Sequence, residues 1–510
     1  MEQINLGETS HSTKFDQFTK DEIIQKYTVI EQELARVIKE NYELRNEKIT
    51  DNQLNLILQE QLGELQNTLF GPSSEKYKKS DKPKTPKEPA KPRIKKPSER
   101  YPNIPVVEKI ISMFPLPNCI CCGIGMSDSG MTEDSEQLTV IPKKYEIILQ
   151  KRKKYRCGKC HGDIQTAPLP ARITPGSTYS DEMIIDVALS KYCDLIPIER
   201  YAAMAARSGV MDIPPHSLIE LTHQFAEFVK SVYLKLKDKA MISRVLHADE
   251  TPHRMLEGSN KKSWYLWGFS TREVCYLECH DTRSGDVASD ILLNSKCEVL
   301  VTDVYSGYGK ALKTVNLTRS DKKQLPIESG FCNAHARRYF FKSRIKYTVD
   351  SEFYLNQYHE IYKLNSESKE KPPDIVIEIR SQMKKYFEAM KAQAYKDLPR
   401  FPNDNQLSKA IKYFLKNYDG LTLCLTDAEV SIDNNPQERL FRSHVVGRKT
   451  WYGTHSERGA ITAAILFSIV ESCKMNNVNP REYFENLVKD LLQGENSYTP
   501  CEFKGLSGNH

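Results

Sequence analysis

Apolar positions along the chain change their period, and each change marks a new kind of element. Ile23, Tyr27, Ile30, Leu34, Val37, Asn41 and Leu44 recur in alternating steps of four and three, the spacing of a coiled-coil seam. Thr50, Asp51 and Asn52 interrupt it, after which Leu54, Leu58, Leu62, Leu65 and Leu69 resume in steps of three or four. A polar residue such as Asn41 on a seam fixes register and strand number, so residues 20–72 are expected to be a helical oligomerisation segment; an amphipathic helix folded onto its own domain has the same pattern. Past residue 240 the runs shorten and become β-rich. RVLHADETP at 244–252, WYLWGFS at 264–270, EVCYLECH at 273–280 and EVLVTDVYSGY at 298–308 predict four strands, with a helix at 284–294 before the last. A helix opens within SIDNNPQERLFR at 431–442, and AITAAILFSIVESCK at 460–474 is an apolar helix expected to pack on the sheet.

Elsewhere the pattern is helical. Capped spacings at 180–190, at 198–208 and from 215 make residues 176–240 a helical region, whose Gly209 turn fits either a helix-turn-helix that reads DNA or a plain bundle leading into the sheet. Residues of about 350–425, rich in Lys, Glu, Tyr and Gln, are read as a helical insertion within an α/β domain spanning 241–475. Residues 476–510 form a C-terminal element and tail; from Gln493 onward the tail is polar and expected to fray, with Cys501 lacking a visible partner.

Charge and cysteine content refine this picture. The 510 residues carry 73 Lys and Arg against 67 Asp and Glu, a net charge of +6. Residues 76–100 hold eleven Lys or Arg against Asp81, Glu88 and Glu99, so this stretch is +8 (11 − 3) and the rest about −2 (6 − 8). Prolines at 83, 86, 89, 92 and 97 make residues 73–104 a basic linker, which either tracks phosphates without reading sequence or serves as a solvated spacer. Thirteen cysteines, mostly scattered, suit reduced thiols better than a disulfide scaffold. Cys119 with Cys122 and Cys157 with Cys160 form two C-x-x-C knuckles, the unit by which paired thiolates grip a tetrahedral ion, so residues 105–170 are expected to be a β module holding structural Zn²⁺. Cys121 is an alternative to either ligand of the first knuckle, and His161 is a weaker candidate. Between the knuckles, residues 138–156 read as a β-hairpin with a basic run at Lys151, Arg152, Lys153 and Lys154. No apolar run reaches membrane-spanning length and residues 1–6 lack the features of a signal peptide; the expected location is the cytoplasm, with no membrane association.

The chemistry concentrates on three carboxylates. Asp249, beside Glu250, lies at the end of the first predicted strand, Asp303 ends the fourth before a Ser-Gly turn, and Glu438 lies on the first turn of a helix. Side chains so placed can converge at one edge of a sheet. Two carboxylates about 4 Å apart repel by roughly 4 kcal/mol at an effective dielectric near 20, a penalty that a divalent cation removes. Oxygen-only ligands with open positions suit Mg²⁺ or Mn²⁺, and a pair of such ions recurs in enzymes that displace groups in line at phosphorus. Each acid also has a plain structural reading: Asp249 and Asp303 as strand-to-turn residues, and Glu438 as the partner of Asn435 and Pro436 in a capping box. FCNAHARRYFF at 331–341 carries Cys332 and His335 at ligand-like spacing without a second pair nearby, and it can set His335, Arg337 and Arg338 beside the acids to hold phosphates. Arg439, Arg442, Arg448 and Lys449 extend this basic character, while Trp451 and Tyr452 suit either stacking on an unpaired base or packing in the core.

The order strand, strand, strand, helix, strand, with acids on the first and fourth strands and on a late helix, resembles the ribonuclease-H-like fold of DDE transposases and integrases. The wording at 247–252 (HADETP), 302–308 (TDVYSGY), 331–341, 434–442 (NNPQERLFR) and 448–460 (RKTWYGTHSERGA) is similar to the transposase of the insertion sequence 66 family, as is LFGPSSEKY at 69–77. The resemblance implies that Asp249, Asp303 and Glu438 are the catalytic DDE acids and hold Mg²⁺ or Mn²⁺, and it includes a zinc module at the knuckles. The implied activity is metal-dependent cleavage of double-stranded DNA at element ends and strand transfer into target DNA. Companion proteins of the same element are implied too, and the seam adds an expected homo-oligomer. The resulting fold class is multidomain α/β: a ribonuclease-H-like core with a helical insertion, preceded by a coiled-coil helix, a basic linker and a small zinc-binding β module. A structure-selective nuclease of the same fold and a catalytically inactive zinc-containing DNA-binding protein are the alternatives.

Overall fold

The computed structural model describes residues 29, 32–37, 39, 96–111, 114, 117, 118, 120–128, 132–141, 143–156, 164–256, 263–401 and 405–507, the side chains of 504–507 excepted. Most of the expected coiled-coil seam and basic linker, and Cys119, Cys157 and Cys160 of the expected zinc module, lie outside the described residues. The chain divides into two compact units, Ser73–Leu149 and the remainder. In the smaller unit a one-turn helix, Pro97–Arg100, is held by Ser98, whose backbone N–H and hydroxyl donate to the Glu136 carboxylate at 2.9 and 3.0 Å.

In the larger unit β1 (Lys154–Arg156) pairs antiparallel with β2 (Ile164–Thr166). This corrects the hairpin expected within 138–156, because no strand forms among the described residues of 132–153. The apolar alternation there has no face to bury: Val140, Ile141, Ile147 and Leu149 are exposed, so only the residues flanking 157–163 gain a ladder.

Four helices follow: α1 (Asp181–Tyr192), α2 (Ile198–Arg207), α3 (Pro215–Phe228) and α4 (Lys230–Ile242). They lead into β3 (Val245–Arg254), β4 (Ser263–Ser270) and β5 (Cys275–His280), then α5 (Gly285–Leu293) and β6 (Val299–Thr302). The strand, strand, strand, helix, strand order read from the pattern is thus the order observed. Next come α6 (Ser306–Asp321) and β7 (Glu328–Phe331), the fifth strand, which places Cys332 and His335 just after its end. The sheet runs β5-β4-β3-β6-β7, with β4 antiparallel to both neighbours and β3, β6 and β7 parallel. Helices α5 and α6 supply the crossovers that parallel pairing requires.

The described residues of 333–425 are mostly helical, beginning with α7 (Asn333–Ser343), α8 (Thr348–Glu367), α9 (Pro373–Ser381) and α10 (Lys384–Asp397) and ending with α11 (Gln406–Lys416) and α12 (Tyr418–Thr422). Phe340, Tyr354, Phe387 and Phe414 build a core here that is continuous with Val299 and Val301 of β6. The chain then enters α13 (Asn435–Trp451), α14 (Glu457–Met475) and α15 (Pro480–Leu492). As the apolar pattern at 460–474 predicts, α14 is buried along most of its length and joins α1, α3, α15 and the sheet in the larger core. Its Ser468 and Ser472 hydroxyls accept from the backbone N–H groups of Leu277 and Cys275 at 2.9 and 3.0 Å. Two outward donors of the edge strand β5 are thereby satisfied within the protein.

The tail is better ordered than its polarity suggests. A helix α16 (Pro500–Ser507) forms, Tyr498 and Phe503 stack with ring centroids 5.8 Å apart, and both meet the buried Tyr483 edge-on. Cys501 has a partner after all, its Sγ 3.1 Å from Thr499 Oγ1. Two aromatics outweigh a polar average because each buries a large apolar area. Among the described residues no helix is long and apolar enough to cross a membrane.

Candidate active site at the sheet edge

Strands β3 and β6 pair in parallel up to His247 opposite Val301. Two residues farther along each strand direction stand Asp249 and Asp303, side by side where this pairing ends. Cys332 follows β7 along the same edge, its N–H donating to the Thr302 carbonyl at 3.0 Å. The carboxyl ends of neighbouring parallel strands are where α/β sheets place their ligands.

On the other side of β3, Asp249 pairs with Gly268 of β4. A Cβ at Gly268 would collide with the Gln437 side-chain amide and come within 2.7 Å of Phe441 Cζ, so glycine lets the first turns of α13 lie directly on the sheet. Glu438, the residue after Gln437, is thereby carried to the edge occupied by the two aspartates. Asn434 pins the start of that helix: its side-chain N–H donates to the Ala248 carbonyl at 2.8 Å, its Oδ1 meets His247 Nδ1 at 2.9 Å, and its backbone N–H donates to Cys332 Sγ at 3.1 Å. Asn434 occupies the N-cap position without a side-chain capping bond, and the helix begins at Asn435, whose N–H groups go to the Asp433 carboxylate at 3.1 and 2.7 Å. Glu438 therefore does not close the capping box that its spacing allowed. Its Oε1 is buried without a hydrogen-bond partner, 3.7 Å from His335 Nδ1, which is likewise unpartnered.

The electrostatics suit a cation. Burial pushes the Asp249 carboxyl up to about 8, and the like charges of Glu250, Asp303 and Glu438 add to the effect. Asp249 accepts the Glu250 N–H at 2.9 Å and Asp303 the Tyr305 N–H at 3.0 Å, which orients one oxygen of each. Glu250 belongs to the opposite face of β3, as strand alternation requires. It accepts from Arg283 Nε and Nη2 at 2.8 and 2.6 Å and from the Tyr308 hydroxyl at 2.7 Å, so its charge is already matched. An all-oxygen donor set with an orphaned buried oxygen, and a carboxyl raised by burial and by its neighbours' charge, is the chemistry that a divalent cation relieves.

The basic candidates distribute unevenly. His335, Arg337 and Arg338 are half-buried on α7, whose start is fixed by Asn333 donating to the Leu421 and Ile432 carbonyls, both at 2.9 Å. Arg439, Arg442 and Lys449 are exposed on α13, and Arg448 is half-buried. Trp451 packs against the larger core with Lys191 Nζ 4.5 Å from its ring, whereas Tyr452 is exposed. The described cysteines are free thiols, Cys122 among them on the surface.

The far end of α13 is held by a pair that local sequence does not signal. His253 Nδ1 and His444 Nε2 are 2.9 Å apart with rings stacked, and His253 Nε2 meets Thr454 Oγ1 at 2.8 Å. Burial pushes His253 down to about 4 and His444 well below its ordinary value, so both are neutral. Gly453, at φ +130°, lets WYGT fold back onto β3, since a side chain there would strike the Arg254 carbonyl; Thr454 N–H donates to that carbonyl at 3.1 Å. Asn434, Gly268 and the histidine pair escaped the sequence reading. Of these only the Asn doublet before Pro436 left a local trace.

A family model described as "Transposase IS66 family" matches residues 176–462, more than half of the chain. The matched range takes in all three acids and begins after the four knuckle cysteines. Among curated proteins, the uncharacterized protein y4hP of Sinorhizobium fredii is 24% identical over 399 residues, covering 73% of this chain and 70% of its own. The uncharacterized protein y4qI of the same organism is 26% identical over 377 residues, covering 71% and 68%.

Proposed function

Given that the chain belongs to the IS66 family of transposases, we propose that it cleaves DNA at the ends of an insertion sequence and joins the freed strand to target DNA, with Asp249, Asp303 and Glu438 as its catalytic acids. The observation that carries this reading is the convergence of three acids from two neighbouring strands and a distant helix on one sheet edge, where burial first, and then the charges of Glu250, Asp303 and Glu438, push the Asp249 carboxyl up to about 8. We read the five-stranded mixed sheet beneath them as a ribonuclease-H-like core.

Mg²⁺ or Mn²⁺ held by Asp249, Asp303 and Glu438 would supply the positive charge that activates the attacking oxygen and steadies the leaving one. In the first displacement a water oxygen bonds to phosphorus and the 3′-oxygen of the element end leaves as a hydroxyl. In the second, that hydroxyl oxygen bonds to a target phosphorus and a target 3′-hydroxyl is released. The Glu250 and Tyr305 N–H groups orient the two aspartates, and Asn434 with Gly268 orients Glu438. His335, Arg337, Arg338, Arg439, Arg442, Arg448 and Lys449 are assigned to the DNA backbone, with Trp451 at the border of that surface. Structural Zn²⁺ at Cys119, Cys122, Cys157 and Cys160, oligomerisation through residues 20–72, a cytoplasmic location and companion proteins of the same element belong to the same reading.

The test is cleavage and joining of a labelled element-end duplex with Mg²⁺ or Mn²⁺ by the wild type, Asp303→Asn and Glu438→Gln. Both variants should bind the duplex as the wild type does and lose cleaved and joined product by at least about a hundredfold. Equal activity in the variants refutes the assignment of the acids. Cutting without joining by the wild type would identify a nuclease instead, and binding alone a regulator.

A further inference from the structure

Glu438 faces a second group of donors besides the aspartates. Cys332 Sγ, a His335 ring nitrogen and a Glu438 carboxylate oxygen all lie within 4.8 Å of one another. His335 Nδ1 and Glu438 Oε1 are both buried without a hydrogen-bond partner. A buried polar atom left unpaired costs about 1–3 kcal/mol, so two of them aimed at one point mark a place built for an occupant. The geometry has a local cause. Cys332 is the N-cap of α7 and His335 lies on its first turn, so C-x-x-H presents sulfur and imidazole from one end of one helix. The Asn434 N–H, donated to Cys332 Sγ at 3.1 Å, locks the start of α13 against the same sulfur and opposes the burial that pushes this thiol up to about 12.

Sulfur, imidazole and one carboxylate form a poor donor set for Mg²⁺, which takes oxygen, and a good one for zinc-class ions. Three protein ligands leave a fourth position open, the pattern of an exchangeable site rather than a closed structural one. We propose that Cys332, His335 and Glu438 form a second metal site, for a thiophilic divalent ion, that shares Glu438 with the oxygen-only site. Binding releases the Cys332 thiol proton to solvent and transfers no electron. Resting on the catalytic reading above, occupation of this site withdraws Glu438 from the two aspartates, so a zinc-class ion is a brake on DNA cleavage.

The probe is Cd²⁺ titrated into the full-length chain without DNA, read by thiolate-to-cadmium charge-transfer absorption. The knuckle cysteines contribute in every protein, so the informative quantity is the difference between variants. Cys332→Ser should take up a single cadmium ion fewer than the wild type, and His335→Ala should bind that ion more than about tenfold more weakly. Asp249→Asn should keep it. His335 is half-buried, so its variant reads the site even if Cys332→Ser folds poorly. The same uptake and affinity in all four proteins, or loss of the ion in Asp249→Asn, overturns the site. With Zn²⁺ added to the Mg²⁺ cleavage assay, each protein measured against its own zinc-free rate, half-inhibition of Cys332→Ser should need at least about tenfold more Zn²⁺ than the wild type; equal inhibition overturns the brake. Because the cadmium count needs no DNA, it stands even where Asp303→Asn and Glu438→Gln refute the catalytic reading.

Discussion

A methyl group added at Gly268 is the smallest change that tests how α13 is seated. Gln437 and Phe441, which it would meet, are themselves buried, so neither yields freely. Gly268→Ala should lower stability by about 1–3 kcal/mol and reduce metal-dependent cleavage far more than DNA binding, because it lifts Glu438 from the aspartates. A variant with unchanged Tm and cleavage rate would show that the close approach is not required. The three acids were legible in the chain because strand ends and a first helical turn each mark a residue within a few positions. Gly268 was not: it reads as one residue of an ordinary β-run until the helix that needs its missing side chain lies across it. Asn434 is similar, since its partners His247 and Ala248 lie 187 and 186 positions away.

Helix α14 and edge strand β5 depend on each other through two hydroxyls. Ser468→Ala and Ser472→Ala each leave a buried backbone N–H, of Leu277 or Cys275, without its acceptor. Each should cost about 1–3 kcal/mol, and amide exchange at Leu277 and Cys275 should accelerate by about tenfold or more where the edge opens locally. Unchanged protection at both amides would mean that the hydroxyls are incidental. The helix itself was legible from its apolar run, whereas its serines looked like neutral interruptions. At this level the misses have one cause. The pairing within 138–156 was inferred from local alternation and the frayed tail from polarity, while the structure turned on whether a few side chains, such as Tyr498 and Phe503, found something to pack against.

The stability of the whole chain should depend on pH through His253 and His444. Both are held neutral in the fold, and His253 stays so down to about 4 while an unfolded histidine gains its proton near 6.5. The unfolded state therefore binds more protons as pH falls through this window, and stability falls with it. Above pH 6.5 neither state is protonated and the effect vanishes. The loss from His253 alone is on the order of 3 kcal/mol by pH 4, so Tm should be level from pH 8 to 7 and drop steeply below 6.5. A Tm profile without this acid limb would rule out the neutral pair. Charge makes a separate prediction for DNA binding. Deleting residues 76–95, where much of the basic excess lies, should weaken binding at low salt and flatten its salt dependence without changing preference for element ends; an unaltered salt slope would leave the stretch a spacer.

What neighbouring residues decide was present in the chain from the start: the periods that make strands and helices, the acids at their ends, the knuckle spacings and the family wording. These depend on steric and hydrogen-bonding preferences that act over a few residues. Which acid meets which partner was settled only by tertiary packing. Glu438 could be a cap or a ligand on its own turn; it stands at the sheet edge without closing a cap because Asn434 is bound to Cys332, 102 residues away, and because Gly268 left room for the helix. A site assembled from distant segments has no local signature, since its geometry comes from burying the surfaces between them.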